Sequence, residues 1–278
     1  MKKKMSIIIA GILFLAGLSL LLYPLVANQW NTYRQSRLIS EYETTVSTEN
    51  SEGAIDYEKE WEKANAYNAA LLPSILPDSF AIAAASDEPG DEYMSCLNIL
   101  NDGMMGYVEV PKINIKIPIF HTTSEEVLNK GAGHLEGSSL PVGGENTHAV
   151  ISAHRGLPSA SLFTDLDQLE KGDHFLISVL DQKLCYEVDQ IRTVEPEDTG
   201  DLAVEPGEDL VTLLTCTPYG VNTQRLLVRG HRVPYEEEVV EKEEKESPMS
   251  LYTNYLLWVV IGLAVTAVLI FGLWKYDK

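Results

Sequence analysis

The sequence predicts a mainly β protein: a closed or nearly closed β-barrel with short helices, set between two apolar terminal segments. Between Gly106 and Arg232 the chain contains at least seven short stretches that are apolar or alternate apolar and polar residues. Gly, Pro, Asn and Asp separate these stretches and predict turns. So many short strands and so few helices within roughly 130 residues are typical of a barrel.

The terminal segments predict one membrane-spanning helix at each end, over residues 1–27 and 254–274. Ile7–Val26 is long enough to cross a bilayer, and Tyr255–Trp274 carries no charge. Lysines lie before the first run and after the second, which predicts cytoplasmic termini and an extracellular middle domain at the plasma membrane. A cleaved signal peptide is the alternative for the first run, although signal peptides have a shorter apolar part of about 7–15 residues.

Residues 28–105 predict a helical stalk followed by a long loop. Tyr57–Leu72 favours a helix because Trp61, Ala64 and Tyr67 fall near one stripe. Ser51-Glu52-Gly53 predicts a break before this helix. Beyond Leu72 there are three prolines, short apolar patches and no sustained period, so we expect a functional or disordered loop up to residue 105.

The barrel domain is predicted over residues 106–235. A capping box at Thr123–Glu126 predicts a short helix, and Leu162, Phe163, Leu166 and Leu169 predict another within Pro158–Leu169. An acidic loop follows at Glu195–Gly207. Residues 236–253 form an acidic linker, which we interpret as a solvated spacer. Strands are predicted at Tyr107–Val110, Lys112–Phe120, His148–Ala153, His174–Leu180, Lys183–Val194, Val211–Cys216 and Arg225–Val228.

Charge and cysteine spacing exclude several functions. The net charge of −20 argues against nucleic acid as a partner, because binding nucleic acid requires Lys and Arg to neutralise phosphates. None of the three cysteines stands in a C-x-x-C or C-x-x-H spacing, so no metal site or redox pair is predicted. The chain also lacks a G-x-S-x-G elbow and a phosphate-binding loop. We therefore predict no cofactor.

The stretch Val211–Arg232 contains the strongest candidates for chemistry. Cys216 ends one predicted strand, and Arg225 begins the next, nine positions later. If the strands pair antiparallel, the two residues lie close together. A nearby cation lowers the pKa of a thiol and favours the reactive thiolate, and arginine supplies fixed donors for a carbonyl or an oxyanion. The alternatives are a small buried hydrophobic residue for Cys216 and a surface side chain for Arg225.

A cysteine nucleophile needs a base or an ion-pair partner, most often histidine. Among the six histidines, His154 lies just past the end of an apolar strand and before a Gly-Leu-Pro turn. His148 opens the same strand, about 20 Å away at about 3.3 Å per residue, so the two cannot both reach one thiol. A purely structural role is the alternative for His154.

The motifs in this region resemble those of the sortase family. Thr212-Leu213-Leu214-Thr215-Cys216 matches the T-L-x-T-C signature, and Arg225 stands at the spacing of the family's arginine. His154 precedes Cys216 by 62 positions, in an H-R-G-L-P context similar to that of the pilin-polymerising class C sortases of Gram-positive bacteria. Further segments resemble this class: Gly106–Pro118, Gly133–Pro141 and Thr217–Gly220.

The resemblance implies an eight-stranded barrel and a transpeptidation. Cys216 would attack an LPXTG-like sorting motif and form a thioacyl enzyme, His154 would act as acid and base, and Arg225 would stabilise the oxyanion. The acceptor in class C enzymes is a lysine of another pilin subunit, which gives covalent pili. The alternatives are attachment of surface proteins or pili to the peptidoglycan cross-bridge, and a membrane-tethered barrel that only binds a peptide.

Class C members also carry a lid, in which an Asp-Pro-aromatic motif lies over the site. This chain has Asp78-Ser79-Phe80 in the long loop before the barrel. By analogy, Asp78 would pair with Arg225 and Phe80 would cover Cys216. Ser79 replaces the proline of that motif.

Overall fold

The computed structural model describes residues 2–52, 55–71, 78–82, 89–248 and 250–276, with a closed barrel of eight strands at its centre. The strand order around the barrel is β1-β2-β3-β4-β7-β8-β6-β5. This confirms the predicted mainly β fold. The strands are β1 (Met104–Val110), β2 (Ile115–His121), β3 (Ala132–His134), β4 (Thr147–Ser152), β5 (His174–Val179), β6 (Gln182–Val194), β7 (Asp209–Thr217) and β8 (Gln224–Val233).

Apolar side chains from the strands fill the barrel. Burial of each such Leu, Ile, Val or Phe contributes about 1.5–3 kcal/mol, so the strand ends project from a rigid frame. The strands β4 and β7 pair in parallel, and β8 pairs antiparallel with both β7 and β6. The core includes Val108, Ile117, Ile151, Phe175, Ile177, Leu213 and Val228.

Seven helices accompany the barrel in the described part of the chain. They are α1 (Lys2–Glu52), α2 (Tyr57–Ala70), α3 (Ser79–Ile82), α4 (Asp91–Ser95), α5 (Glu125–Leu128), α6 (Glu237–Lys245) and α7 (Leu251–Tyr276). The predicted helix break is confirmed, since α1 ends at Glu52 and Asp56 caps the start of α2; Gly53 lies outside the described residues. The Ser124 hydroxyl caps α5 by accepting from the backbone N–H of Val127.

Helix α1 is continuous, so it contains no structural boundary at residue 27 between a membrane segment and a stalk. Its later part packs on the barrel, where the Tyr42 hydroxyl donates to the Met105 carbonyl at 3.0 Å. The stretch Gly11–Ser47 is the only helix in the searched, described part of the chain that is long and apolar enough to cross a membrane. In α7 the apolar stretch found is the shorter Leu251–Thr266, so a second span stays a prediction.

The structure corrects two expectations from the sequence, one for the long loop before the barrel and one for the segment Pro158–Leu169. The long loop contains two short helices, α3 and α4, whereas its residues 72–77 and 83–88 lie outside the described parts. The helix expected within Pro158–Leu169 is wrong, because only Leu166–Gln168 forms a 3-10 turn. Leu162 has a φ of 39°, which a right-handed helix does not allow, and the Phe163 N–H donates to the His154 carbonyl at 3.1 Å.

The acidic linker, residues 236–253, is not a solvated spacer throughout. Its Glu237–Lys245 stretch forms α6, which lies against the barrel. The carboxylate of Glu243 accepts from the His174 backbone N–H at 3.0 Å and lies 2.6 Å from His174 Nδ1. Ser247 adds a hydrogen bond from its hydroxyl to the Lys112 carbonyl at 2.8 Å. The linker therefore fixes where α7 begins relative to the barrel.

Candidate active site

The ends of β7 and β8 bring Cys216 and Arg225 together. These residues face each other in the antiparallel register, which is the arrangement expected from the sequence. Both are nearly buried: Cys216 is 7% exposed and Arg225 is 9% exposed. The patch therefore combines a thiol and a guanidinium that are largely shielded from water.

Strand β4 adds His154 on the other side of Cys216. Every residue pair between β4 and β7 is offset by 62 positions, up to Ser152 opposite Leu214. Beyond the strand, the Ala153 N–H donates to the Leu214 carbonyl at 3.1 Å, and the Thr215 hydroxyl donates to the Ala153 carbonyl at 2.7 Å. Continuing this register places His154 level with Cys216. The parallel pairing explains why the histidine and the cysteine stand 62 positions apart.

The segment Asp78–Phe80 lies over the row formed by His154, Cys216 and Arg225. Asp78 accepts two hydrogen bonds from Arg225, from Nε at 2.6 Å and from Nη2 at 2.7 Å. The Phe80 ring lies 5.4 Å from the His154 ring centroid and 5.1 Å from the Arg225 guanidinium carbon. The expected contact between Asp78 and Arg225 is thus present, and Phe80 contacts the residues on either side of Cys216.

Ser79 is fully buried and anchors this segment through two hydrogen bonds. Its hydroxyl accepts from the Ser152 hydroxyl at 2.8 Å, and its carbonyl accepts from the Thr123 hydroxyl at 2.9 Å. A proline at position 79 could keep the second bond but could not make the first. No local sequence pattern predicts this contact, because Ser79 and Ser152 lie 73 positions apart.

Burial favours the neutral forms of Cys216 and His154. It raises the pKa of the Cys216 thiol, and Asp78 raises it further, whereas Arg225 acts in the opposite direction. Burial also lowers the pKa of His154, against a smaller opposing effect of Glu125. With the Asp78–Phe80 segment in place, the site therefore favours a thiol and a neutral imidazole over an ion pair.

Arg155 is a site residue that the sequence analysis did not single out. Its guanidinium donates to the Thr217 hydroxyl at 3.0 Å, to the Thr164 carbonyl at 3.0 Å and to the Asp167 carboxylate. Its side chain is 8% exposed. Burial of an arginine next to a histidine leaves no pattern in a single sequence, so only the structure identifies it.

The loop that follows His154 also receives both terminal helices. From α1, Asn31 donates to the Ser159 carbonyl and Asn28 accepts from the Ser161 N–H, both at 2.7 Å. From α7, the Tyr252 hydroxyl donates to the Leu157 carbonyl at 2.6 Å. The terminal helices thus lie on the same side of the molecule as this loop.

The other two cysteines lie away from the row. Cys96 and Cys185 are free and buried. Burial raises the pKa of Cys96, and it raises the pKa of Cys185 to about 11. Both therefore favour the unreactive thiol form.

Comparison with known proteins identifies relatives of this chain. A family model for the sortase domain matches residues 108–233. A crystal structure of Streptococcus pneumoniae sortase C is 50% identical, with a TM-score of 0.65, over 72% of this chain and 97% of that one. Sortase C1 from Streptococcus agalactiae is 49% identical, with a TM-score of 0.63, over 72% of this chain and 100% of that one.

A curated relative is more distant. Sortase D of Bacillus subtilis strain 168 is 32% identical over 131 residues, which is 46% of this chain. The match spans 63% of that relative, which is less than two thirds of its length.

Proposed function

This chain belongs to the sortase family, and we propose that it is a class C enzyme that joins pilin subunits covalently. The observation that carries the proposal is the row of His154, Cys216 and Arg225 at the ends of β4, β7 and β8. The similar Streptococcus pneumoniae sortase C is an enzyme with pilin substrate specificity, which supports pilins as the substrates of this chain.

The proposed first step is acyl transfer to Cys216. The sulfur attacks the threonine carbonyl of an LPXTG-like motif, so that a carbon–sulfur bond forms and the Thr–Gly amide bond breaks. His154 accepts the proton of the Cys216 thiol and then donates it to the departing glycine amine. Arg225 stabilises the negative charge that develops on the carbonyl oxygen.

The second step releases the product. A lysine amine of another pilin subunit attacks the thioacyl carbon, and His154 accepts the proton that this amine loses. The carbon–sulfur bond breaks, an isopeptide bond forms, and His154 passes that proton to the sulfur, which regenerates the Cys216 thiol and the neutral imidazole. No cofactor is required, since the two steps exchange one acyl bond for another.

We propose that Asp78–Phe80 is a lid that must move before substrate binds. Each guanidinium nitrogen of Arg225 already donates: Nε and Nη2 to Asp78, and Nη1 to the carbonyls of Asn222 and Gln224 at 3.3 and 3.2 Å. A substrate carbonyl can therefore bind to the Nε–H and Nη2–H pair that faces Asp78 only after Asp78 leaves. Displacement of Phe80 would uncover His154 in the same movement.

We propose that α1 and α7 both cross the plasma membrane, with cytoplasmic termini and an extracellular barrel. The two helices touch where the Tyr255 hydroxyl donates to the Leu21 carbonyl at 2.7 Å, and both carry exposed apolar side chains. Cysteine-accessibility labelling of intact cells, at residues introduced before Ile7 and after Trp274, tests this topology. Labelling of either terminus from outside would contradict it.

The proposed function is tested by deleting the nucleophile. In cells that have no other pilin sortase, Cys216→Ala should abolish the high-molecular-weight pilin ladder and leave the pilin monomer. Cys96→Ser, at a buried cysteine away from the row, should retain the ladder. Ladders that persist in the Cys216→Ala strain would refute the proposal. Mass spectrometry of the product linkage then identifies the acceptor as a pilin lysine or, for the alternative function, a cell-wall amine.

A further inference from the structure

His154 is held by its backbone rather than by a side-chain partner. Within the described residues its imidazole makes no hydrogen bond, and its ring contact is with Phe80, which belongs to the proposed lid. A histidine that acts as acid and base needs a fixed position relative to its nucleophile. When the lid leaves, the loop from His154 to Asp167 must supply that position.

Arg155 connects this loop to the strand that carries the nucleophile. Its Nη1 donates to the hydroxyl of Thr217, the residue that follows Cys216, while its Nε donates to the Thr164 carbonyl within the loop. The third contact is with Asp167, at the far end of the loop. The side chain of Arg155, which directly follows His154, therefore contacts both the residue after Cys216 and the loop that runs from His154 toward β5.

The burial of Arg155 makes this bridge rigid. The Arg155 side chain is 8% exposed and all three of its guanidinium nitrogens donate hydrogen bonds, so it has lost most of its rotamer freedom. Because the guanidinium is planar and rigid, each hydrogen bond also fixes the direction of the other two. A lysine at this position has one ammonium group, which cannot reach three acceptors in a fork geometry. The bridge depends on arginine itself and not on positive charge alone.

We propose that Arg155 is a positioning residue, which keeps His154 in register with Cys216 while the lid is displaced. This inference deepens the proposed transpeptidase function and rests on it. Arg155 does not touch the row directly, so its contribution should appear in turnover and not in recognition of the sorting motif.

The test uses the full-length protein in detergent micelles and an LPETG peptide with a fluorophore and a quencher. Rates are expressed per folded molecule, with the folded fraction measured by near-UV circular dichroism. We expect Arg155→Lys to lower kcat about 10- to 100-fold, the range that small misplacements of catalytic groups produce, with KM changed less than about 2-fold. Arg192→Lys is the matched control, because Arg192, on β6, forms an ion pair with Asp201 and its side chain is 53% exposed. It should retain the wild-type kcat.

A second variant keeps the inference falsifiable if Arg155→Lys folds poorly. Thr217→Val removes only the hydroxyl that accepts from Arg155 and should lower kcat in the same direction. If loss of the hydrogen bond between Arg155 and Thr217 causes the lower kcat, the variant with both Arg155→Lys and Thr217→Val should be no slower than Arg155→Lys alone. A wild-type kcat in Arg155→Lys, or losses that multiply in the double variant, would overturn the inference.

A separate measurement distinguishes failure of the positioning role of Arg155 from failure of the proposed transpeptidase function. The His154 imidazole is followed by NMR through a pH titration in the wild type, Arg155→Lys and Arg192→Lys. Arg155→Lys should shift the His154 resonances and midpoint, and Arg192→Lys should not. If the wild type cleaves no sorting peptide, the proposed function fails while this titration still reports on the bridge. Unchanged His154 resonances would overturn the positioning role.

Discussion

The Ser152 hydroxyl donates to the Ser79 hydroxyl at 2.8 Å, and both side chains are fully buried. This bond joins the last residue of β4, two positions before His154, to the middle of the proposed lid. An intramolecular hydrogen bond of this kind contributes about 0.5–1.5 kcal/mol, which corresponds to a ratio of roughly 2- to 12-fold between closed and open populations. The bond thus adds to the ion pair between Asp78 and Arg225.

We expect Ser79→Ala to open the lid more often, because it removes this bond and leaves the Ser152 hydroxyl without that partner. Alkylation of Cys216 by iodoacetamide should accelerate roughly 2- to 10-fold at pH 7. Ser247→Ala is the control, since it also removes a hydroxyl hydrogen bond, the one that Ser247 donates to the Lys112 carbonyl beside α6. This variant should leave the alkylation rate unchanged. An unaltered alkylation rate in Ser79→Ala would show that the bond does not hold the lid.

Removing the charge of Asp78 should change the pH dependence of the same reaction. Burial raises the pKa of Cys216, Arg225 lowers it, and Asp78 raises it. In Asp78→Ala, the opposing effect of Arg225 remains and burial decreases, so the pKa falls. The midpoint of the alkylation rate against pH should therefore move to lower pH, with a faster rate at pH 7.

Asp78→Asn separates charge from lid closure. The amide can still accept a hydrogen bond from Arg225, so the midpoint should move down while the rate increases less than in Asp78→Ala. Phe80→Ala should also accelerate alkylation, because it removes the ring that contacts His154 and Arg225. A midpoint that stays in place or moves up in Asp78→Ala would contradict the electrostatic argument.

The contact between His174 and Glu243 predicts a pH-dependent attachment of α6. The Glu243 carboxylate raises the pKa of His174 above its ordinary value of 6.5, with smaller contributions from Glu187 and Asp173. A raised pKa stabilises the folded state fully below the ordinary value, and this stabilisation is lost as pH rises through the raised pKa. The melting temperature of the wild type should fall between pH 6 and pH 8.5 by more than that of Glu243→Gln. Equal changes in the two proteins would mean that α6 is held by other contacts.

The row could be predicted from the sequence because it depends on strand ends. Apolar runs bounded by turn-forming residues identified β4, β7 and β8 and placed His154, Cys216 and Arg225 at strand ends. Antiparallel pairing predicted that Cys216 and Arg225 are neighbours, and the resemblance to a family added His154 to them. Pairing of neighbouring strands brings these strand ends together, since it converts a fixed spacing in sequence into proximity in space. The lid contact of Asp78 came only from the resemblance to a family.

The remaining features depend on contacts that no local pattern encodes. Ser79 and Ser152 meet across 73 positions, and His174 and Glu243 meet across 69. The helix expected near Phe163 failed because its apolar spacing reflects burial in a loop, where a backbone hydrogen bond to His154 replaces the helical one. Acidic composition suggested a solvated linker, but Glu243 contacts the half-buried His174 and so brings α6 against the barrel.

The final prediction concerns Gly106, which lets β1 approach β5. A Cβ at this position would lie 2.2 Å from the Ser178 carbonyl oxygen, and the paired backbone on both sides leaves no room to move. Gly106→Ala should therefore destabilise the barrel by more than the about 1–3 kcal/mol that overpacking typically costs. Gly103→Ala is the matched control: its φ of 84° is unfavourable, but nothing lies within 4 Å of the added carbon, so we expect a loss of about 1–2 kcal/mol. Urea denaturation measures both, and a Gly106→Ala protein as stable as Gly103→Ala would show that β1 and β5 can separate without cost.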